Sequence, residues 1–171
     1  HDLWADTALI LTTDHGFLLS EHEWWGKCRM PYYEEVVHIP LFVHHPDHAE
    51  QAGTRCSALT QTGDIMPTLL DLHGCPIPDE VTAHSLMAAL RGEAGDRVAA
   101  TGIFGGPIGV TDGRYMMFHY PPDVLGKGLY EYTLSPQHMR EPFSAAEMAT
   151  ATSTGGRGSE PRFTVTMGGG K

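Results

Sequence analysis

The stretch "ILTTDHGFLLSEHEWWGK", residues 10–27, decides how the chain is read. It continues an apolar, β-branched run, "TALILTT" at 7–13, that stops at Asp14-His15-Gly16, and a lysine, Lys27, stands thirteen residues beyond Asp14. A short apolar run bounded by a turn signal predicts a fully buried strand, of the kind found in parallel sheets. Gly16 lets the chain turn at its end. In open α/β sheets ligands sit beyond the carboxyl ends of strands, where Asp14 and His15 stand. Neighbouring residues on an extended strand point opposite ways, so a turn at Gly16 is needed to bring both toward one ion. A carboxylate beside an imidazole is a donor pair suited to a divalent cation. The plainer alternative is an ordinary strand-ending turn, with Asp14 capping the segment that follows and Lys27 a solvated surface lysine.

The 171 residues are enough for a domain with its own core. A net charge of −10 argues against nonspecific nucleic-acid binding, which needs clustered Lys and Arg. It leaves room for a small anionic substrate, because one metal and one lysine make a local positive site. The absence of any eighteen-residue apolar run predicts no spanning helix. Three cysteines, Cys28, Cys56 and Cys75, form no CxxC pair, so a disulfide scaffold is not expected, although one bridge with one free thiol remains open. The opening "HDLWADTALI" reads as the middle of a chain, with residues 1–7 as the tail of an amphipathic helix, so the sequence is expected to be a piece of something longer.

Punctuation along the chain predicts two zones. Residues 1–95 read as α/β and residues 96–171 as a smaller antiparallel subdomain with a Gly-rich tail. In the first zone, "VVHIPLFV" at 36–43 is a second strand, which Pro40 pushes toward an edge or bulge. "TGDIMPTLLDLHG" at 62–74 is a helix capped by Thr62 or Asp64, with Ile65, Leu69, Leu70 and Leu72 as its apolar face and Gly74 as its stop. "HSLMAALRG" at 84–92 is a short helix, also ended by Gly. In the second zone, "VAATGIFG", "IGVTDGRYMMFHY" and "GLYEYTL" read as antiparallel strands, with Asp112-Gly113 turning a hairpin. A strand at 162–166 is expected within an otherwise mobile tail.

Taken in order, "TTDHG" (12–16), "SEHEWWGK" (20–27), "YYEEVVHIPLFV" (32–43), "GDIMPTLLDLHG" (63–74) and "HSLMAALRG" (84–92) resemble the sulfatase family of the alkaline phosphatase superfamily. The resemblance covers residues 5–92; "DGRYMMFHY" and "LYEYTLSP" match its late antiparallel region only loosely. It implies the C-terminal part of an alkaline-phosphatase-like α/β sandwich followed by a small antiparallel β subdomain. It implies that Asp14 and His15 hold a divalent metal, calcium first and manganese or a similar ion second, and that Lys27 contacts the transferred sulfate. Two positions depart from the family's habit: Phe17 stands where an acidic residue is usual, and Ser20 where glycine is usual. The family's Cys or Ser nucleophile, converted to formylglycine, lies in an upstream "[CS]-x-[PA]-x-R" motif that none of the three cysteines fits. The expectation is therefore a portion of a sulfuric ester hydrolase, inactive without its upstream nucleophile segment. Phosphonate monoester or phosphodiester hydrolysis, and a non-catalytic binding module, are the alternatives.

Other residues were candidates on chemistry alone. His22 could protonate a leaving group, though a loop histidine more often packs or caps. Trp24 and Trp25 either pack the loop or line a substrate pocket. Tyr32 and Tyr33 orient the approach to the second strand. "HHPDH" at 44–48 could bind adventitious metal but reads as surface. The expected partner is a small anionic ester, with no nucleic acid and no membrane, and an exposed sheet surface predicts self-association.

Overall fold

The computed structural model describes residues 3–27, 31–103, 106–120, 130–133, 137, 141–149, 152–155 and 161–166. The chain forms two compact units, residues 1–103 with 107–119, and residues 104–106 with 120–171.

In the first unit, β1 (Leu9–Thr12) leads into the Asp-His-Gly turn, after which β2 (Leu18–Leu19) and β3 (Trp25–Gly26) form a short antiparallel ribbon. Helical turn α1 (Glu34–Val37) precedes β4 (Leu41–His44), and β4 pairs with β1 antiparallel, Leu9 opposite His44 and Thr12 opposite Leu41. Helices α2 (Ile65–Leu72) and α3 (Met87–Leu90) follow, then a three-stranded meander of β5 (Ala99–Gly102), β6 (Ile108–Thr111) and β7 (Met116–His119). In the second unit, β8 (Tyr130–Thr133), α4 (Ala145–Ala149), β9 (Thr152–Gly155) and β10 (Pro161–Thr166) are described, with β10 central between β8 and β9 and both pairings antiparallel. The α/β character with small antiparallel sheets is as the sequence implied.

Several expectations need correction. The first strand is neither parallel nor buried. Its pairing with β4 is antiparallel, and Leu11 and its partner Phe42 are 59% and 64% exposed on one face. A parallel-sheet strand reads as wholly apolar because layers cover both its faces, and no layer covers this face among the described residues. The run at 36–43 is split. Val36 and Val37 close a helical turn, and Pro40, which has no N–H to give a ladder, precedes the strand, its carbonyl accepting from the Thr12 hydroxyl at 2.8 Å. Residues 4–6 form a turn rather than a helix tail. Thr152–Gly155, read as mobile tail, is a strand of the second sheet. The tail beyond residue 166 lies outside the described residues.

The helices end as their sequences dictate. Gly74 at φ 64° and Gly92 at φ 72° take the left-handed conformation just past α2 and α3. The next residue reaches back in each case, Cys75 N–H to the Leu70 carbonyl and Glu93 N–H to the Ala88 carbonyl, both at 2.8 Å. The start of α2 is built differently from expectation. Asp64 is fully buried, and its carboxylate accepts from the Gln61 N–H upstream rather than from the helix. The same carboxylate accepts from the His84 N–H at 3.1 Å and from Arg97 at 2.7 and 3.3 Å. One helical turn on, the buried Thr68 hydroxyl donates to the Asp64 carbonyl and accepts from the Leu86 N–H. The buried residues of α2 are Pro67 and Thr68, while Leu69, expected on the core face, is exposed.

Tyr32 ties the first part of the chain to the meander. Its buried hydroxyl donates to the Pro107 carbonyl at 2.8 Å and accepts from the Ile103 N–H at 3.1 Å, and its ring lies 5.9 Å from Phe118. The loop between β2 and β3 holds three non-glycine residues in the left-handed region, Ser20 at φ 96°, His22 at φ 54° and Glu23 at φ 56°.

Two stability outcomes follow. Removing one member of a buried ion pair strands the other, so Arg97→Ala is expected to destabilise the chain by about 3 kcal/mol in urea unfolding. Ser20→Gly removes left-handed strain at a position free of helix or strand, and is expected to raise the unfolding free energy by roughly 1 kcal/mol, read as a higher urea midpoint with unchanged m-value.

Candidate functional site

The residues after β1 form a tight knot of donors and acceptors. Gly16 donates its N–H to the Val36 carbonyl at 2.8 Å. A Cβ built on Gly16 would lie 1.8 Å from the Glu35 carbonyl oxygen, so only glycine lets α1 press this closely on the turn. The turn therefore has a packing cause as well as a conformational one. It fixes Asp14 and His15 against a rigid backbone contact.

His15 is oriented at both nitrogens. Its Nδ1 lies 2.8 Å from the Gly16 carbonyl, which can only accept, so Nδ1 carries the proton. Its Nε2 lies 2.7 Å from the Lys27 Nζ, an ammonium that can only donate, so Nε2 presents its lone pair. Asp14 Oδ2 stands 3.3 Å from the same Nε2. Two acceptor atoms turned toward each other at that distance repel unless a cation lies beside them, and here the Lys27 ammonium donating to Nε2 supplies that charge. Donors at right angles around an ion with bonds of about 2.2–2.4 Å stand roughly 3.1–3.4 Å apart. The pair would suit a shared divalent cation once Lys27 gives up the Nε2 lone pair, and the neutral tautomer that metal ligation needs is already set by a backbone carbonyl. Among the described residues no three His, Cys, Asp or Glu side chains converge, so Asp14 and His15 offer two donors.

Asp14 is charged at neutral pH and set up to remain so. Partial desolvation works to raise its pKa, but the backbone N–H groups of Asp14 and His15 and the Thr13 hydroxyl hold it below the ordinary aspartate value. The His15 N–H donates to Asp14 Oδ1 at 3.0 Å, and the Thr13 hydroxyl contacts the same oxygen at 3.3 Å.

Of the residues singled out from sequence, the structure brings Asp14, His15 and Lys27 together. It places His22 elsewhere in contact: the ring stacks on Tyr33 at 3.6 Å and 7°, and Nε2 meets Glu35 Oε2 at 3.3 Å. Tyr33 and Glu35 are thus the partners of His22, while Tyr32 is a buried strut. Trp25 is exposed on β3 opposite Leu19. Within "HHPDH", His44 contacts the Trp4 carbonyl, buried His45 caps the following turn by accepting from the Asp47 N–H, and His48 meets Glu50 at 3.5 Å. Cys56 and Cys75 are free and exposed, and Cys28 lies outside the described residues. The sequence reading missed the Gly16 carbonyl and the Thr13 hydroxyl as orienting groups. Backbone carbonyls leave no residue-type signal, and Thr13 reads equally well as the last residue of a β-branched strand.

Comparison with known proteins bears on what this arrangement belongs to. The family model for the C-terminal region of N-sulphoglucosamine sulphohydrolase matches residues 20–104, which include Lys27 and lie just after Asp14 and His15. An N-acetylglucosamine-6-O-sulfatase from Bacteroides thetaiotaomicron is 29% identical over 157 residues, 84% of this chain and 28% of the relative. Human arylsulfatase K is 37% identical over 86 residues, 50% of this chain and 15% of the relative. The solved structure of BT4656 in complex with its substrate D-glucosamine-2-N,6-O-disulfate superposes with a TM-score of 0.58 at 27% identity, over 70% of this chain and 26% of that one. The chain thus spans less than a third of the length of each of these relatives. The order of its motifs, its α/β fold and these similarities agree: the chain belongs to the sulfatase family and matches that family's C-terminal portion.

Proposed function

We propose that this chain supplies half of the metal site and the anion-binding lysine of a metal-dependent sulfuric ester hydrolase. The observation that carries the reading is the convergence of Lys27 Nζ, His15 Nε2 and Asp14 Oδ2 at the end of β1, inside a chain of the sulfatase family. Asp14 and His15 would hold the divalent ion, calcium first and manganese as the alternative. When bound, that ion supplies positive charge to polarise an ester oxygen. Lys27 supplies a second positive charge from this chain, and its ammonium would bind a sulfate oxygen. The Gly16 carbonyl keeps the His15 lone pair aimed outward through every cycle, because the Nδ1 proton has a permanent acceptor.

The substrate class is a sulfate monoester. A sulfated amino sugar is favoured by the two relatives aligned over most of this chain, one named for N-acetylglucosamine-6-O-sulfate and the other solved with a glucosamine disulfate. The nucleophile belongs to a segment outside residues 1–171. In the full-length protein, Lys27→Ala is expected to lower kcat/KM for a sulfate monoester by 100-fold or more, the size associated with losing one charge-stabilising group at a transition state. The purified 171-residue chain is expected to show no turnover of 4-nitrophenyl sulfate with calcium or manganese. Metal-dependent turnover by that chain would overturn the division of the site.

The β1–β4 face carrying Leu9, Leu11 and Phe42 is apolar and exposed, and the isolated chain is expected to self-associate through it. Light scattering on the chain should give a mass above the monomer's, falling to the monomer's in Leu11→Lys/Phe42→Lys. A monodisperse monomer in the unsubstituted chain would count against this surface.

A further inference from the structure

The β2–β3 ribbon joins His15 to Lys27, and its outward face is apolar. Leu18 is fully buried, while its neighbours Phe17 and Leu19 are both exposed, as strand alternation requires. Across the ribbon Leu19 pairs with Trp25, and this facing pair is 59% and 68% exposed. Phe17 stands two residues from His15 and Trp25 two residues from Lys27. The strip of Phe17, Leu19 and Trp25 therefore begins where the charged knot ends.

We propose that this strip is a ring-binding wall that sets substrate choice, with Trp25 and Leu19 lying against the face of the ring that carries the sulfate ester. The proposal rests on the reading of Lys27 as the sulfate contact. It commits to a ring-bearing sulfate monoester for three reasons. Trp25 comes two residues before Lys27 and Phe17 two residues after His15, on the paired arms of one ribbon, so a ligand whose anionic end meets Lys27 has its uncharged end toward the strip. The strip offers no charged side chain of its own, which suits an apolar ring face and not a second anionic group. An exposed cross-strand Leu–Trp pair gives a flat surface of low conformational entropy, the kind of surface on which rings stack. The phenylalanine at position 17, where an acidic residue is usual in the family, extends this wall to the edge of the donor pair.

The test uses the full-length protein, its nucleophile substituted so that esters bind without turnover, with calcium present and three probes: inorganic sulfate, phenyl sulfate and glucosamine 6-sulfate. Binding is read by NMR at the Lys27 amide and the Trp25 indole. The ring-bearing esters are expected to bind at least fivefold more tightly than inorganic sulfate, and to shift the indole signal where sulfate does not. In Trp25→Ser, and separately in Leu19→Ser, that preference should fall to about one while inorganic sulfate binds as before, which also shows that the variants are folded. Preference for phenyl sulfate alone assigns the wall to aryl esters, and preference for glucosamine 6-sulfate alone assigns it to sugar esters. Equal affinity for all three probes, or a preference that survives both substitutions, overturns the wall and leaves the Lys27 reading intact. Binding of none of them overturns the Lys27 reading and the wall with it. A concentration-dependent dimer that both variants abolish would assign the strip to contact between copies, and would also overturn the proposal.

Discussion

A single buried carboxylate organises much of the first unit. Asp64 gathers the Gln61 N–H, the His84 N–H and two guanidinium N–H groups of Arg97, joining segments that are 20 and 33 residues away along the chain. A lone buried carboxylate is costly, and its charge is tolerable here because nearly every lone pair is used by a charged or backbone donor. Thr68 repeats the device on the next turn, linking the Asp64 carbonyl to the Leu86 N–H. The core of this unit is therefore specified by polar geometry as much as by apolar volume, in keeping with its few fully buried large side chains.

The site depends on a second constraint, the absence of a side chain at residue 16. The Glu35 carbonyl occupies the place where a Cβ would stand, so α1 seats directly on the Asp-His-Gly turn. That contact converts a local sequence motif into fixed directions for two side chains. The Gly16 carbonyl then sets the His15 tautomer, and Lys27 arrives from the far end of the β2–β3 ribbon to meet the exposed lone pair. The ammonium meets the nitrogen that lies 3.3 Å from the Asp14 carboxylate, so one positive charge stands near both acceptors at the end of β1.

Strain is concentrated in the same ribbon. Ser20, His22 and Glu23 take left-handed conformations that glycine adopts freely, and His22 is held there by its stack on Tyr33 and its contact with Glu35. The family habit of glycine at position 20 has a direct physical reading in the φ of 96° found for Ser20. The loop that carries Lys27 is thus braced by α1, the element that also seats on Gly16.

The sequence alone determined the ends of the helices, because Gly74 and Gly92 meet a backbone need that does not depend on the rest of the fold. It determined the Asp112-Gly113 hairpin for the same reason, and the sulfatase character through the order and spacing of five motifs. It did not determine which strands pair or how deeply they lie. The run at 7–13 is apolar enough for a buried parallel strand, yet burial depends on what covers it, and here it pairs antiparallel with an exposed face. Nor did it reveal Asp64 as the hub, since a helix-start aspartate looks the same whether it faces water or an arginine 33 residues away. Asp14, His15 and Lys27 could be named from sequence by resemblance. Their meeting at 2.7 and 3.3 Å, and the tautomer that makes the meeting chemically useful, come only from backbone groups brought in by tertiary packing, which carry no residue identity for a sequence to display.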